Sequence, residues 1–249
     1  MHPILFEIGP VTVRTYGVLV ACAFFIGFSL LYEEARKQNF YPDKILDLEL
    51  LILIFGIIGA RALHVLVNFD FYRENLPDIF FIWKGGLAFY GGLISAILAS
   101  TVFILKKKLP FWKTADFVIP YIALGQSIGR IGCFLNGCCF GKPAPFSGHT
   151  IYRYPAQLYA SLALLCIFVI LRLIQKKPLF TGFVFTAYLI LYATQRFFID
   201  FLRGDTSRYA LNLTVSQIIS IVLFAMGIGF IIWHKLGGKR AHAGIKVRS

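Results

Sequence analysis

The sequence predicts an all-α integral membrane protein with seven transmembrane helices, an external N-terminus and a cytoplasmic C-terminus. Of its 249 residues, 58% are hydrophobic and only 15% are charged, whereas soluble globular domains carry about 45–50% apolar and about 25% charged residues. The apolar residues lie in continuous runs, not in the alternating pattern of a membrane β-barrel. Helices are expected because a backbone that crosses a bilayer must satisfy its own hydrogen bonds.

Seven apolar runs are long enough to cross a hydrocarbon core of ~30 Å, which takes ~20 helical residues. They cover approximately residues 16–32, 48–67, 87–105, 115–134, 156–173, 180–199 and 213–233. Little sequence is left between them, so we expect residues 1–249 to form a single multi-pass membrane domain. The first residues show neither a basic segment nor a small-residue cleavage site, so a removable signal peptide is not expected.

The Lys and Arg residues predict the orientation, because short cytoplasmic loops are enriched in them. One group follows the first, third, fifth and seventh spans: Arg36, Lys37, Lys44, Lys106, Lys107, Lys108, Lys113, Arg172, Lys176, Lys177, Lys235, Lys239, Arg240, Lys246 and Arg248. This larger group is expected in the cytoplasm, with residues 235–249 as a basic cytoplasmic tail. Most of the net charge of +13 therefore sets orientation, and nucleic acid is not an expected partner.

Three arginines lie inside or at the edge of apolar runs, namely Arg61, Arg130 and Arg196. Charges at membrane depth are costly and usually face a partner or a cavity. A guanidinium group can bind the oxygen atoms of a phosphate in a bidentate manner, so these arginines suggest an anionic lipid headgroup. In the competing interpretation, each arginine pairs with an acid such as Asp200 or Asp116, or extends to the membrane surface.

The segment at residues 129–141, GRIGCFLNGCCFG, combines four glycines with one arginine and three cysteines. Glycines allow a backbone to approach a ligand or a neighbouring helix closely. This segment resembles the signature of the prolipoprotein diacylglyceryl transferase family. Members of that family are bacterial enzymes that move diacylglycerol from phosphatidylglycerol to a cysteine thiol of a lipoprotein precursor.

The resemblance extends over most of the chain, with the segments in the family's order. They are GPV at 9–11, TYG at 15–17, GAR at 59–61, WKGGLAFYGG at 83–92, ADF at 115–117, YPAQLY at 154–159, and Tyr192 with RFFIDFLR at 196–203. The resemblance implies a multi-pass enzyme of the bacterial inner membrane. Its partners would be phosphatidylglycerol, membrane lipids and prolipoprotein signal peptides with a lipobox cysteine.

The resemblance also implies roles for particular residues. Arg130 corresponds to the signature arginine that binds phosphatidylglycerol, and Arg196 corresponds to a second essential arginine of the same cavity. Further substrate-binding positions would be Tyr16, Arg61, Asn136, Gly141 and Arg203. In the implied reaction, the lipobox thiolate attacks a glycerol carbon and glycerol phosphate leaves. The leaving phosphate must be stabilised by cations, and the incoming thiol must lose its proton because the thiolate is the nucleophile.

The sequence departs from the family at the position of the thiol-activating base. Tyr90 stands where the family usually has a histidine that is proposed as the base. A tyrosine with an ordinary pKa near ~10 could act as a base only if arginines lowered its pKa; in the alternative, Tyr90 hydrogen-bonds the lipid phosphate. Further differences are Cys133 for an asparagine, Cys138 for a glutamate, Tyr154 for a histidine, Ala160 for a glutamate and Asp200 for a glutamate.

The cysteines Cys133, Cys138 and Cys139 are expected at the outer face, where thiols can oxidise. A structural metal site requires four ligands at a recognised spacing, and C-x4-C-C without a well-placed histidine supports one weakly. We therefore expect neither a metal nor a cofactor. Cys133 and Cys138 remain candidates for reactive thiols or a disulfide, or else simply replace polar residues.

Two other functions are compatible with the sequence. A transferase-like paralogue could keep the lipid site and use different thiol chemistry, as Tyr90, Cys133 and Cys138 suggest. A small-molecule transporter is a less favoured alternative, because transporters tend to show paired internal repeats, and no such repeat is visible in this chain.

Overall fold

The computed structural model describes residues 4–8, 11–81, 85–143, 153–204 and 212–246. A short hairpin precedes a series of helices. The elements are β1 (Ile4–Ile8), β2 (Val11–Arg14), α1 (Thr15–Lys37), α2 (Pro42–Val67), α3 (Phe69–Glu74), a 3-10 helix (Leu76–Phe80), α4 (Phe89–Lys106), α5 (Phe111–Asn136), α6 (Ala156–Gln175), α7 (Phe183–Leu202) and α8 (Val215–Lys246).

Within the described ranges, six helices are long and apolar enough to cross a membrane: α1, α2, α4, α5, α6 and the Val215–Leu236 part of α8. The expectation of an all-α membrane protein is therefore confirmed. The helix α7 has 20 residues, which is also a spanning length, but it contains Arg196 and Asp200 among several other polar residues. These side chains lower the apolar character of the sixth predicted span.

The hairpin at the N-terminus is an element that the apolar pattern did not predict. Its strands β1 and β2 are antiparallel, and Ile8 pairs with Val11 across a two-residue connection. Both strands are rich in β-branched residues, which favour extended backbone. That enrichment is the local signal from which the hairpin could have been predicted.

The chain divides into two compact units, of which one comprises Phe28–Thr114. In this unit α2 and α4 pack through small residues. A Cβ atom on Gly59 would lie 2.2 Å from the Cβ of Ser95, and one on Gly91 would lie 2.3 Å from the carbonyl oxygen of Gly59. Only glycine permits this approach of two backbones, which is a common way for helices to associate in membranes.

The other unit comprises Met1–Gly27 and Ala115–Ser249. Its apolar core joins α5, α6 and α7 through residues such as Ile119, Leu164, Leu171 and Val184. These side chains are almost completely buried. The core holds the three helices against one another.

Asp116 joins the start of α7 to the start of α5 in this unit by hydrogen bonds. Its carboxylate, near the start of α5, accepts hydrogen bonds from the backbone N–H groups of Gly182 (2.6 Å) and Phe185 (2.8 Å) at the start of α7. The start of α7 therefore lies beside the start of α5, and the acid caps α7.

The helix α8 continues to Lys246, so the predicted basic tail at residues 235–249 begins as an extension of a helix.

Candidate active site

Several chain segments meet in the unit formed by Met1–Gly27 and Ala115–Ser249, near the ends of α5 and α7. Arg196 on α7 donates a hydrogen bond to the hydroxyl of Ser216 in the first turn of α8. Gln157 in the first turn of α6 donates to the carbonyl of Cys138, which follows α5. The ring of Tyr16, at the start of α1, lies against Gly132 of α5. Five helix termini thus surround one region.

The cations of this region outnumber the acids. The carboxylate of Asp200 lies 3.5 Å from the guanidinium group of Arg196 and 3.9 Å from that of Arg203. Arg130 also lies near enough to Arg196 to act on it electrostatically. Among the described residues, the carboxylate of Asp200 lies near Arg196 and Arg203, and Arg130 lies near Arg196. A phosphate is the kind of anion that such a group of guanidinium side chains binds.

Asp200 is itself held in place by the start of α8. Its side chain is completely buried, and its second oxygen accepts a short hydrogen bond from the hydroxyl of Thr214. The backbone N–H of Thr214 donates to the side chain of Gln217, which fixes this turn. The acid thereby lies beside both Arg196 and Arg203, so the pairing with an acid that the competing interpretation expected is seen for Arg196.

Three thiols lie beside the arginines. The sulfur atoms of Cys133, Cys138 and Cys139 are all within 4.8 Å of one another, and all three side chains are partly exposed. None of them forms a disulfide in this structure. Tyr16 and Arg130 lie close enough to interact electrostatically with this group.

The electrostatics of this group favour a thiolate at Cys139. A hydrogen bond from the Cys133 thiol, together with the cations of Arg203 and Arg130, lowers the pKa of Cys139 to about 5, although burial acts in the opposite direction. Burial and the neighbouring Cys139 raise the pKa of Cys138. Cys139, which sequence reasoning did not single out as a reactive thiol, is thus the sulfur that ionises most readily.

The loop that carries these cysteines is fixed by polar contacts. The backbone N–H of Cys138 donates to the carbonyl of Cys133 at 3.1 Å, and the side chain of Asn136 hydrogen-bonds the Cys138 thiol. Gln157, which is almost completely buried, adds its bond of 2.7 Å to the Cys138 carbonyl. Gln157 was missed as a site residue; a glutamine in the first turn of an apolar helix was the available signal.

Gly141 allows three chain segments to meet beside this loop. Its N–H donates to the carbonyl of Tyr154, and it forms a bridge with Arg203. A Cβ atom at this position would lie 2.4 Å from the Tyr154 carbonyl oxygen and 3.0 Å from that of Leu202. The glycine therefore positions Arg203 through close backbone packing.

The remaining two predicted site residues lie in the unit Phe28–Thr114. The buried guanidinium group of Arg61 donates to four backbone carbonyls, those of Asp78, Ile79, Gly85 and Gly86. Tyr90 lies in the first turn of α4 with 58% of its surface exposed. The structure therefore brings together Tyr16, Arg130, Cys133, Asn136, Cys138, Gly141, Arg196 and Arg203 in one unit, with Arg61 and Tyr90 in the other.

Comparison with known proteins identifies the family. The family model described as prolipoprotein diacylglyceryl transferase matches residues 3–233. The chain belongs to the prolipoprotein diacylglyceryl transferase family. It is 35% identical to the phosphatidylglycerol–prolipoprotein diacylglyceryl transferase of Listeria innocua over 95% of the chain and 91% of that relative. The corresponding figures are 35%, 96% and 94% for the enzyme of Bacillus velezensis, and 36%, 93% and 88% for that of Nostoc sp..

The match spans both units of this family member. It begins just before the hairpin and ends within α8, so it includes the arginine group, the cysteine loop and the Arg61 contacts. The resemblance inferred from short sequence segments is thereby confirmed over nearly the whole chain.

Proposed function

We propose that this chain transfers the diacylglyceryl group of phosphatidylglycerol to the lipobox cysteine of prolipoproteins in a bacterial inner membrane, forming a thioether. The family match supports this activity, and it does not favour the transferase-like paralogue or the small-molecule transporter. The observation that carries the assignment of the site is the excess of guanidinium groups over carboxylates at the end of α5 and α7.

In this reaction the phosphate of phosphatidylglycerol binds between Arg130 and Arg196, and Arg203 adds to the positive field. The lipobox thiolate attacks the glycerol carbon that bears the phosphate. The carbon–oxygen bond breaks, and its electron pair leaves with glycerol phosphate. Because negative charge grows on the leaving phosphate, fixed cations in a region poor in water stabilise the transition state more than the substrate.

The supporting residues of this unit shape the site. Asp200 orients two of the three arginines through its ion pairs. The partly exposed phenol of Tyr16, which lies beside Arg130 and the thiols, is in position to contact the substrate. Asn136 holds the cysteine loop, and Gly141 lets Arg203 reach the site.

The residues of the other unit receive different roles. We assign Arg61 a positioning role, because its hydrogen bonds hold the segment before α4 against α2. The exposed phenol of Tyr90 at the start of α4 can donate a hydrogen bond through its hydroxyl group. Tyr90 is therefore proposed as a hydrogen-bond donor to a lipid substrate.

We further propose that α7 is a seventh membrane span, that the N-terminus is external and that the C-terminus is cytoplasmic. A helix of 20 residues is about 30 Å long, which matches the hydrocarbon core. Its polar residues Thr186, Tyr188 and Asp200 are buried inside the protein, so they need not face lipid. The concentration of Lys and Arg after the odd-numbered spans supports the orientation.

A complementation experiment tests the proposed function and the role of Arg130 together. A bacterium depleted of its own transferase should grow when it expresses this chain and should fail to grow with Arg130→Ala. Arg36→Ala is the matched control, because Arg36 is exposed at the far end of α1. Growth with the Arg130 variant at normal expression would refute the assignment of that residue, and no growth with the unaltered chain would refute the function.

A further inference from the structure

The proposed reaction requires that the lipobox thiol lose its proton before its sulfur attacks. The side chains that act on the three cysteines include Arg130, Arg203, Tyr16 and Asn136. Arginine and asparagine do not accept a proton at neutral pH, and tyrosine keeps its own up to a pH near ~10. A substrate cysteine with an ordinary pKa of about 8.5 would remain mostly a thiol.

We propose that Cys133, Cys138 and Cys139 bind one zinc ion, and that the lipobox sulfur occupies the fourth position of this zinc as a thiolate. The inference rests on the proposed transferase function and adds to it the group that activates the nucleophile. It revises the sequence-based expectation that the protein holds no metal.

The geometry of the three sulfur atoms suits zinc. They lie within 4.8 Å of one another, while a zinc ion bound to sulfur at about 2.3 Å in a tetrahedral site places its ligands about 4 Å apart. The adjustment required is thus a fraction of an ångström per side chain. Cys139 has a φ of +59°, an uncommon conformation for a residue other than glycine, and this turn directs two consecutive cysteines into one group.

The number of ligands points to a catalytic metal. Structural zinc sites are closed by four protein ligands, whereas catalytic sites have three protein ligands and an open position. Among the described residues, this group has three members, and all of them are cysteines. The three side chains are partly exposed, so a fourth ligand can reach the ion from outside.

The surrounding charges suit such a complex. Zinc with three thiolates carries a net charge of −1, and a substrate thiolate makes it −2. Arg130 and Arg203 lie close enough to the cysteines to balance this charge. Sulfur ligands also discriminate against magnesium and calcium, which prefer oxygen.

The zinc supplies the activation of the nucleophile. Coordination of the lipobox thiol releases its proton to water, because a thiol bound to zinc is deprotonated. The sulfur then forms a bond to the glycerol carbon while the carbon–oxygen bond breaks and the electron pair leaves with the phosphate. The proton in water balances the charge of the departing glycerol phosphate. No atom is oxidised or reduced, and the neutral thioether product leaves the metal.

Metal analysis of the full-length protein tests the site itself. The protein is purified in detergent with a phosphine reductant, titrated with Zn²⁺ and desalted. One zinc per chain is expected for the unaltered protein, and less than about a tenth of that for Cys133→Ser or Cys139→Ser. Cys166→Ser in α6 is the matched control and should keep the full amount. An unaltered protein without zinc, or serine variants that retain it, would overturn the proposal.

A spectroscopic measurement on the unaltered protein removes the concern that a serine variant fails to fold. Replacement of zinc by Co²⁺ should give sulfur-to-cobalt charge-transfer absorption. A lipobox peptide should increase this absorption by adding a fourth sulfur, whereas the same peptide with serine in place of cysteine should not. Equal spectra with the two peptides would refute substrate coordination.

Transfer assays distinguish failure of the metal proposal from failure of the proposed function. Chelation should lower the rate of thioether formation by about a hundredfold or more, and one equivalent of Zn²⁺ should restore it. Full transfer by a zinc-free protein would overturn the zinc proposal and leave the transferase intact. A protein that binds zinc but makes no thioether product would refute the transferase and, with it, the catalytic role of the metal.

Discussion

The arginines of the two units differ in the hydrogen-bond acceptors that the protein itself provides for their guanidinium groups. In the unit Phe28–Thr114, the buried Arg61 donates to four backbone carbonyls. In the other unit, Arg196 and Arg203 lie beside the carboxylate of Asp200, and Arg130 lies near Arg196. Arg61 therefore binds the protein's own backbone, whereas Arg130 and Arg196 are the arginines that we propose to bind an external anion.

An arginine within an apolar run is therefore not by itself a substrate ligand. Arg61 and Arg130 both follow or adjoin glycines in the sequence, and both suggested a lipid headgroup. Their partners separate them, because Arg61 donates to backbone carbonyl groups and Arg130 lies beside the thiols and Arg196. The comparison predicts that substitutions at the arginine group change the rate, while substitutions around Arg61 change the stability.

The largest effect is expected for Arg130→Ala. Loss of one cation from the phosphate site should lower kcat by about 10²–10³-fold, with the thermal unfolding temperature unchanged within error. Arg130→Lys should recover part of the rate, because a lysine keeps the charge and loses the bidentate contact. Steady-state transfer kinetics and thermal melts in the same detergent check both statements, and a large drop in stability would show that Arg130 is structural like Arg61.

A smaller effect, on stability and not on rate, is expected for Arg61→Met. Methionine fills much of the space but leaves four carbonyls without a donor, which should cost about 3 kcal/mol or more in the free energy of unfolding. Equilibrium unfolding in a mixed detergent measures this change in the free energy of unfolding. The transfer rate per folded molecule should stay within about threefold; a loss as large as that of Arg130→Ala would mean that Arg61 contacts substrate.

A still smaller loss of stability is expected where α2 and α4 touch. In Gly91→Ala the new Cβ would collide with the carbonyl of Gly59, and such overpacking costs about 1–3 kcal/mol. Gly56→Ala is the control on α2, because a Cβ there would meet no atom within 4 Å. Thermal melts of the two variants should differ clearly, and equal values would show that this helix contact is not tight.

The smallest effect is expected for Asp116→Asn, which changes the acid that caps the start of α7. An amide can accept only one of the two hydrogen bonds from the start of α7, so about 1 kcal/mol of stability should be lost. The kcat of the folded protein should not change. A fall in kcat without loss of stability would indicate that this acid takes part in the reaction.

Much of the fold could be predicted because a membrane imposes a simple pattern on the sequence. Runs of apolar residues gave helices whose ends lie within a few residues of the observed ones in most cases. The hairpin of β1 and β2 was missed, because its signal is a local enrichment in β-branched residues and not a long apolar run. Helix α7 was predicted as a span on length, and its polar face, which includes Thr186 and Asp200, lowers its hydropathy because it is buried in protein.

The site could be predicted only in part. The glycine-rich segment and its arginine indicated the region around Arg130, and the pairing of Arg196 with Asp200, which was the alternative interpretation, is seen. The sequence could not reveal that Arg61 is occupied by carbonyls, because those contacts reach residues 17–25 positions away. Nor could it show that Cys139 joins Cys133 and Cys138, since that depends on a turn with positive φ.

The most direct test of the central claim is to identify the product made by the purified protein. It is reconstituted in vesicles that contain phosphatidylglycerol and incubated with a lipobox peptide, and peptide and released phosphate are followed by mass spectrometry. We expect a thioether-linked diacylglyceryl peptide and an equal amount of glycerol phosphate. Neither product should form in vesicles of phosphatidylcholine. Unmodified peptide in both kinds of vesicle, from a protein shown to be folded, would contradict it.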